Sequence, residues 1–181
     1  MKIQKNTKVT LMVLVVMIAG CANKTITSTP KNFFNNLQAL CGQVFKGAST
    51  FPDDPGHDFA GKVLVADFIS CNEKQINIKF AVGSDRSRTW VITKSKQGLL
   101  LKHDHRHEDG TPDEVTNYGG WANNQGSVWR QHFVADKETA ELIPDARTNV
   151  WMLEFDPNNQ VLTYDLKRHG LPRYQAQLKP Q

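Results

Sequence analysis

The chain has 181 residues, with 22 lysines and arginines against 18 aspartates and glutamates and a formal net charge of +4. Lys2, Lys5 and Lys8 crowd the N-terminus, so the remainder carries only about +1, which excludes the broad basic surface that nucleic-acid binding needs. The length suits a single domain with one core.

The basic start is followed by Val9–Ala19 (VTLMVLVVMIA), an apolar run shorter than the ~20 residues a permanent spanning helix needs. It fits the apolar region of a secretion signal. The run ends in Ile18-Ala19-Gly20-Cys21, which resembles the bacterial lipobox, where cleavage precedes the cysteine and the thiol is acylated. The resemblance implies a signal peptide over 1–20 and lipidation at Cys21. Ala22, rather than Asp, follows the cysteine and favours an outer-membrane lipoprotein facing the periplasm. Several acyl chains make a stable anchor, at ~0.8 kcal/mol per buried methylene. Residues 21–31, small and polar with Pro30, read as a flexible tether. The single β-rich domain then covers 32–181.

Two cysteines remain. Cys41 and Cys71 in an oxidising compartment predict a disulfide, with buried free thiols as the alternative. Their spacing excludes a CxxC redox pair and a thiolate zinc site.

In chain order, Asn32–Leu40 (NFFNNLQAL) has Phe33, Phe34, Leu37 and Leu40 at helical spacing, a short amphipathic helix. Alternation with period two follows. Strands are predicted over Gln43–Ser49, Lys62–Ser70, Gln75–Val82, Ser87–Lys94 and Leu99–Glu108, the last two joined as a hairpin at Gln97-Gly98. Phe51–Gly61 is a Pro/Gly/Asp-rich turn. Asp109–Gly126 is turn-rich, with Tyr118-Gly119-Gly120 as a short strand end. Val128–Asp136 is a strand, Lys137–Arg147 holds a helical turn, and Asn149–Phe155 and Val161–Lys167 flank the turn signal DPNNQ. Arg173–Leu178 is the last strand. Eight or nine strands with short links and no alternating helices predict an all-β fold. The expected architecture is an antiparallel up-and-down, lipocalin-like barrel, since closure removes sheet edges. A β-sandwich is the alternative.

Residues 99–110 (LLLKHDHRHEDG) hold three of the six histidines. On a strand Leu99, Leu101, His103, His105 and His107 share one face, and Lys102, Asp104, Arg106 and Glu108 take the other. Neighbouring histidines ~6.6 Å apart can lean onto one zinc-type ion with bonds of ~2.1 Å, whereas His103 and His107 are ~13 Å apart. A His-x-His pair therefore needs an outside ligand. His132 is the first choice, then His57, with Asp109 or Asp113 in the following turn. A solvated strand end without a ligand is the competing reading. An EF-hand is excluded, because His105, His107 and Thr116 fall where its carboxylates belong.

Arg86 and Arg88 share a face with Trp90, so Arg86, Arg88 and Trp90 are candidates for holding a carboxylate or phosphate ligand. Structural pairing of Arg88 with Asp104 or Glu108 across the hairpin is the plainer expectation. Trp121, Trp129 and Trp151 are scattered and read first as core aromatics. No nucleophile elbow and no HExxH motif is present, so the sequence leans away from an enzyme.

The blocks Asp85–Thr93, Gly98–Gly110, Tyr118-Gly119-Gly120 and Asn149-Val150-Trp151 resemble those of a group of Gram-negative secreted proteins and lipoproteins. The likeness spans most of residues 38–168 and implies neither activity nor cofactor. The expected function is a lipid-anchored periplasmic binding module, holding zinc or another divalent metal, or a small polar ligand, at the histidine strand. A structural or interaction lipoprotein without ligand is the second reading, and a metal-assisted hydrolase the third.

Overall fold

A computed structural model describes residues 28–181. The signal, the lipobox and Cys21 lie outside the described residues. The first helix, α1, spans Ser28–Gln38. It begins before Asn32, within the stretch read as tether, because Pro30 in a first turn lacks an N–H the helix would not use there.

Ten strands follow: β1 (Val44–Phe51), β2 (Leu64–Cys71), β3 (Gln75–Val82), β4 (Asp85–Ser95), β5 (Gly98–His105), β6 (Tyr118–Ala122), β7 (Arg130–Ala135), β8 (Val150–Asp156), β9 (Val161–Arg168) and β10 (Leu171–Pro180). Each pairs antiparallel with the next, and β1 pairs with β10, so the sheet is a closed barrel. The sandwich alternative is therefore overturned. Helix α2 (Lys137–Leu142) and a short 3₁₀ turn, Pro144–Thr148, fill the link between β7 and β8.

Alternation decides what lies inside. Ile76, Ile78 and Phe80 on β3, Trp90 and Ile92 on β4, Leu99 and Leu101 on β5, and Trp151 and Leu153 on β8 are buried in the lumen. Residues between them (Asn77, Lys79, Val91, Leu100 and Met152) take the outer face, which is mixed in character and also carries the cross-strand pair Arg130–Glu154 at 3.7 Å.

One end is plugged by α1. Its Phe33, Phe34, Leu37 and Leu40 are all buried, and Phe33 meets Phe133 of β7 edge-on at 6.4 Å. The Lys94 ammonium lies 4.3 Å from the Phe34 ring centre, and Asn36 Nδ2 donates to the Val128 carbonyl. Cys41 and Cys71 form the predicted disulfide, tying the segment after α1 to the end of β2. Closing a loop of this length contributes about 3–4 kcal/mol in the chain-entropy account.

Candidate functional site

The opposite end is open. A cavity of 280 Å³ enters the barrel there, with room for roughly ten to fifteen non-hydrogen atoms at interior packing density. Phe80, Trp90, Trp151 and Tyr164 line its inner part. Trp90 packs nearly parallel to Phe80 at 4.3 Å and to Tyr164 at 4.5 Å, and Phe80 and Tyr164 lie 6.3 Å from each other.

Strand β5 delivers His103 and His105 to this cavity, as the alternation requires. His103 is 4 % exposed and stacks on Tyr118 at 4.8 Å. Its Nδ1 lies 3.2 Å from the Tyr118 carbonyl and its Nε2 2.8 Å from the Tyr164 hydroxyl. A carbonyl only accepts, so Nδ1 carries the proton and Nε2 accepts from Tyr164. Both ring nitrogens are thus engaged. Burial pushes the His103 imidazole down to about 3, against a weaker opposing pull from the Tyr118 carbonyl. Burial, and then Arg88, also lower His105. Burial raises Tyr164 well above the usual phenol range. The pair is therefore neutral at pH 7. The His105 Nε2 and the Tyr118 hydroxyl share a hydrogen bond of 3.0 Å.

The remaining predicted metal residues are not brought together. Strand β5 stops at His105, and His107 sits exposed in the loop beyond it. His132 lies on the outer face of β7, because Gln131 and Phe133 on either side of it are the buried residues. The partner across β8 is Met152, and His132 does not share the interior with the histidine strand. His57 reaches the cavity from the β1–β2 loop. Its ring stacks on Tyr174 at 5.3 Å and its Nδ1 accepts the Phe59 N–H. Asp109 accepts from Thr111, and Asp113 from the Val115 N–H. Among the described residues, no three His, Cys, Asp or Glu side chains converge on a metal-holding point.

The charged residues of the motif brace the β5–β6 loop instead. Asp104, on the outer face, accepts from Arg106 at 2.8 Å and from the Thr116 hydroxyl, while Thr116 takes the His105 N–H. Arg106 also caps the Gly110 carbonyl. Lys102 donates to Asp136 at 2.6 Å, and Asp136 caps α2 through the Thr139 N–H. The buried Thr139 hydroxyl clasps both the N–H and the carbonyl of Gly119 at 2.7 Å. These bonds hold α2 and the 3₁₀ turn at the mouth, where Ile143, Ala146 and Asn149 join the lining.

Arg88 does line the cavity, paired with Asp85 and with its guanidinium 5.2 Å from the Phe59 ring centre. It pairs with neither Asp104 nor Glu108. Burial opposes ionisation of Asp85, but hydrogen bonds from Ser87 and the Arg88 partner outweigh it and hold the carboxyl at about 2. Trp90 is a wall of the cavity. Arg86 stays exposed and bonds the Gly83 and Asp85 carbonyls.

Sequence reading missed Tyr118, Tyr164, Arg168 and Arg173 as cavity residues. Tyr164 was legible from the alternation of β9, which buries Leu162 on the same face. Arg173 was not, because it sits where the β9–β10 register shifts between Pro172 and Tyr174.

These elements define a closed ten-stranded antiparallel barrel, plugged by a helix at one end and hollowed at the other. No family model, no curated protein and no solved structure matches the chain.

Proposed function

We propose that this chain is a lipid-anchored protein of the cell envelope that binds a small organic molecule in the open end of its barrel. The observation that carries the reading is the 280 Å³ cavity itself, walled by rings and supplied with inward-facing polar atoms from His105, Tyr118 and Asn149. Barrel mouths with apolar walls and a few placed polar groups are a favoured setting for small ligands. The lipobox-like IAGC and the Cys41–Cys71 disulfide support an exported, anchored protein.

Binding of indole-3-acetamide or indole-3-acetate is expected to raise the melting temperature and give saturable heat in calorimetry. Leu166→Trp, which fills the lined space, is expected to abolish both signals. Saturation that survives this substitution places the ligand elsewhere and rejects the reading. Zinc is expected to shift the melting temperature little, because Tyr164 occupies His103 Nε2. A zinc stabilisation lost in His103→Ala/His105→Ala would restore coordination as the better account.

The anchor has its own check. Cys21→Ser is expected to move the protein from the membrane to the soluble fraction. Unchanged partition in that variant would remove the lipid from the proposal.

A further inference from the structure

We propose that the cavity selects an organic carboxylate, with a flat aromatic body among the inner rings and the acid group held at the mouth by Arg168 and Arg173. The inference rests on the cavity being a ligand site and adds the chemical class.

Charge around the lining carries it. Three arginines line the cavity (Arg88, Arg168 and Arg173), and the only acid among the described lining residues is Asp58, exposed on the β1–β2 loop. The arginines are not equally committed. Arg88 is taken by Asp85 and packed over Phe59. Arg168 donates through Nε to the uncharged Asn149 Oδ1 at 2.9 Å, and no partner among the described residues takes its terminal amino groups. The exposed Arg173 side chain has neither an ion pair nor a hydrogen bond among the described residues. It sits at the β9–β10 register shift, a device that re-aims a side chain. Two guanidinium groups therefore stand at one rim with unused donors in the fork geometry that matches a carboxylate.

Depth fixes the orientation of the ligand. Arg168 ends β9 and Arg173 begins β10, so both belong to the rim. Phe80, Trp90, Trp151 and Tyr164 lie further along their strands, toward the plugged end. A bound molecule therefore lays its body among the rings and leaves its tail at the rim beside the cations. His103, level with Trp90, and His105, level with Arg88, are both held neutral and offer no second charge, so a single anionic group on an apolar body suits the site better than a dianion.

The test is calorimetry on the full-length chain with indole-3-acetate and its uncharged isostere indole-3-acetamide. The acid is expected to bind about tenfold or more tightly than the amide. Arg168→Gln/Arg173→Gln, with its melting temperature checked, is expected to erase that preference while the amide's affinity holds. Equal affinity of acid and amide for the unmodified chain overturns the carboxylate inference and leaves the cavity reading standing. If neither probe binds, the cavity reading itself falls. Inorganic phosphate is expected not to displace the acid at millimolar concentration. Displacement would mark the rim as a phosphate site and overturn the inference.

Discussion

Gly120→Ala is expected to destabilise the barrel by more than about 3 kcal/mol, beyond the usual range for overpacking. A Cβ at this position would lie 1.7 Å from the Val134 carbonyl oxygen and 2.5 Å from its carbon. Both atoms are backbone, so no rotamer change relieves the overlap. Strand β6 would have to leave β7, which it meets through Gly120↔Ala135 and Trp121↔Val134. The neighbouring Gly119 is constrained in the same way, with a Cβ meeting the Leu101 carbonyl at 2.0 Å. The consequence reaches the site, because β6 supplies Tyr118, whose carbonyl sets the His103 tautomer. Urea unfolding is the measurement, with Gly56→Ala as the control. There the nearest atom is a side-chain oxygen of Asp54 at 3.3 Å, in an exposed loop. A Gly120→Ala midpoint equal to that of the control would refute the steric account of the Tyr-Gly-Gly block.

Acid lability dominated by one buried imidazole is the second large effect. His103 has an ordinary value near 6.5 in the unfolded chain and about 3 in the folded one. Its folded value is depressed, so its neutral form is matched to the fold above pH 6.5. As pH falls below that, the unfolded chain takes up a proton the folded chain refuses. Stability is then lost at up to ~1.4 kcal/mol per pH unit until the folded value is reached. Between pH 7 and pH 5 the loss from His103 is about 2 kcal/mol. His105 and His132 are lowered too and add in the same direction. Asp85 and Asp136 lose their favourable partners only under more acidic conditions. The His103 share is therefore read as a difference. His103→Gln is expected to be less stable at pH 7 and to lose about 2 kcal/mol less on going to pH 5. An identical pH 7-to-5 loss in the variant would mean that the imidazole protonates freely in the folded chain, contrary to its burial.

Much of the interior was legible because a strand's alternation is a local property. The pattern LLLKHDH already sorts Leu99, Leu101, His103 and His105 from Leu100, Lys102 and Asp104, and the burial follows it. The same rule applied to VWRQHFVAD places His132 opposite Phe133, so the outward position of that histidine was also in the sequence. Residue type alone favours His132 as a third ligand, whereas strand parity turns it away from the cavity. The end of β5 was harder to see. Arg106 forms an isolated bridge with Pro112, and the loop it closes takes His107 out of the sheet.

By itself the sequence determined the strands, the amphipathic helix, the disulfide pair and which side of each strand is apolar. The disulfide follows from the pair of cysteines left after Cys21, and the rest from spacing along neighbouring residues. Tertiary structure alone decided that β1 closes on β10, bringing Ser49 within 2.9 Å of the Tyr174 hydroxyl across 125 positions. It also decided which mouth the helix plugs, and that Arg88, Arg168 and Arg173 meet at the other. Periodicity fixes the face a side chain takes, but the neighbours it finds depend on closure and register, which are set by contacts between residues far apart in the chain.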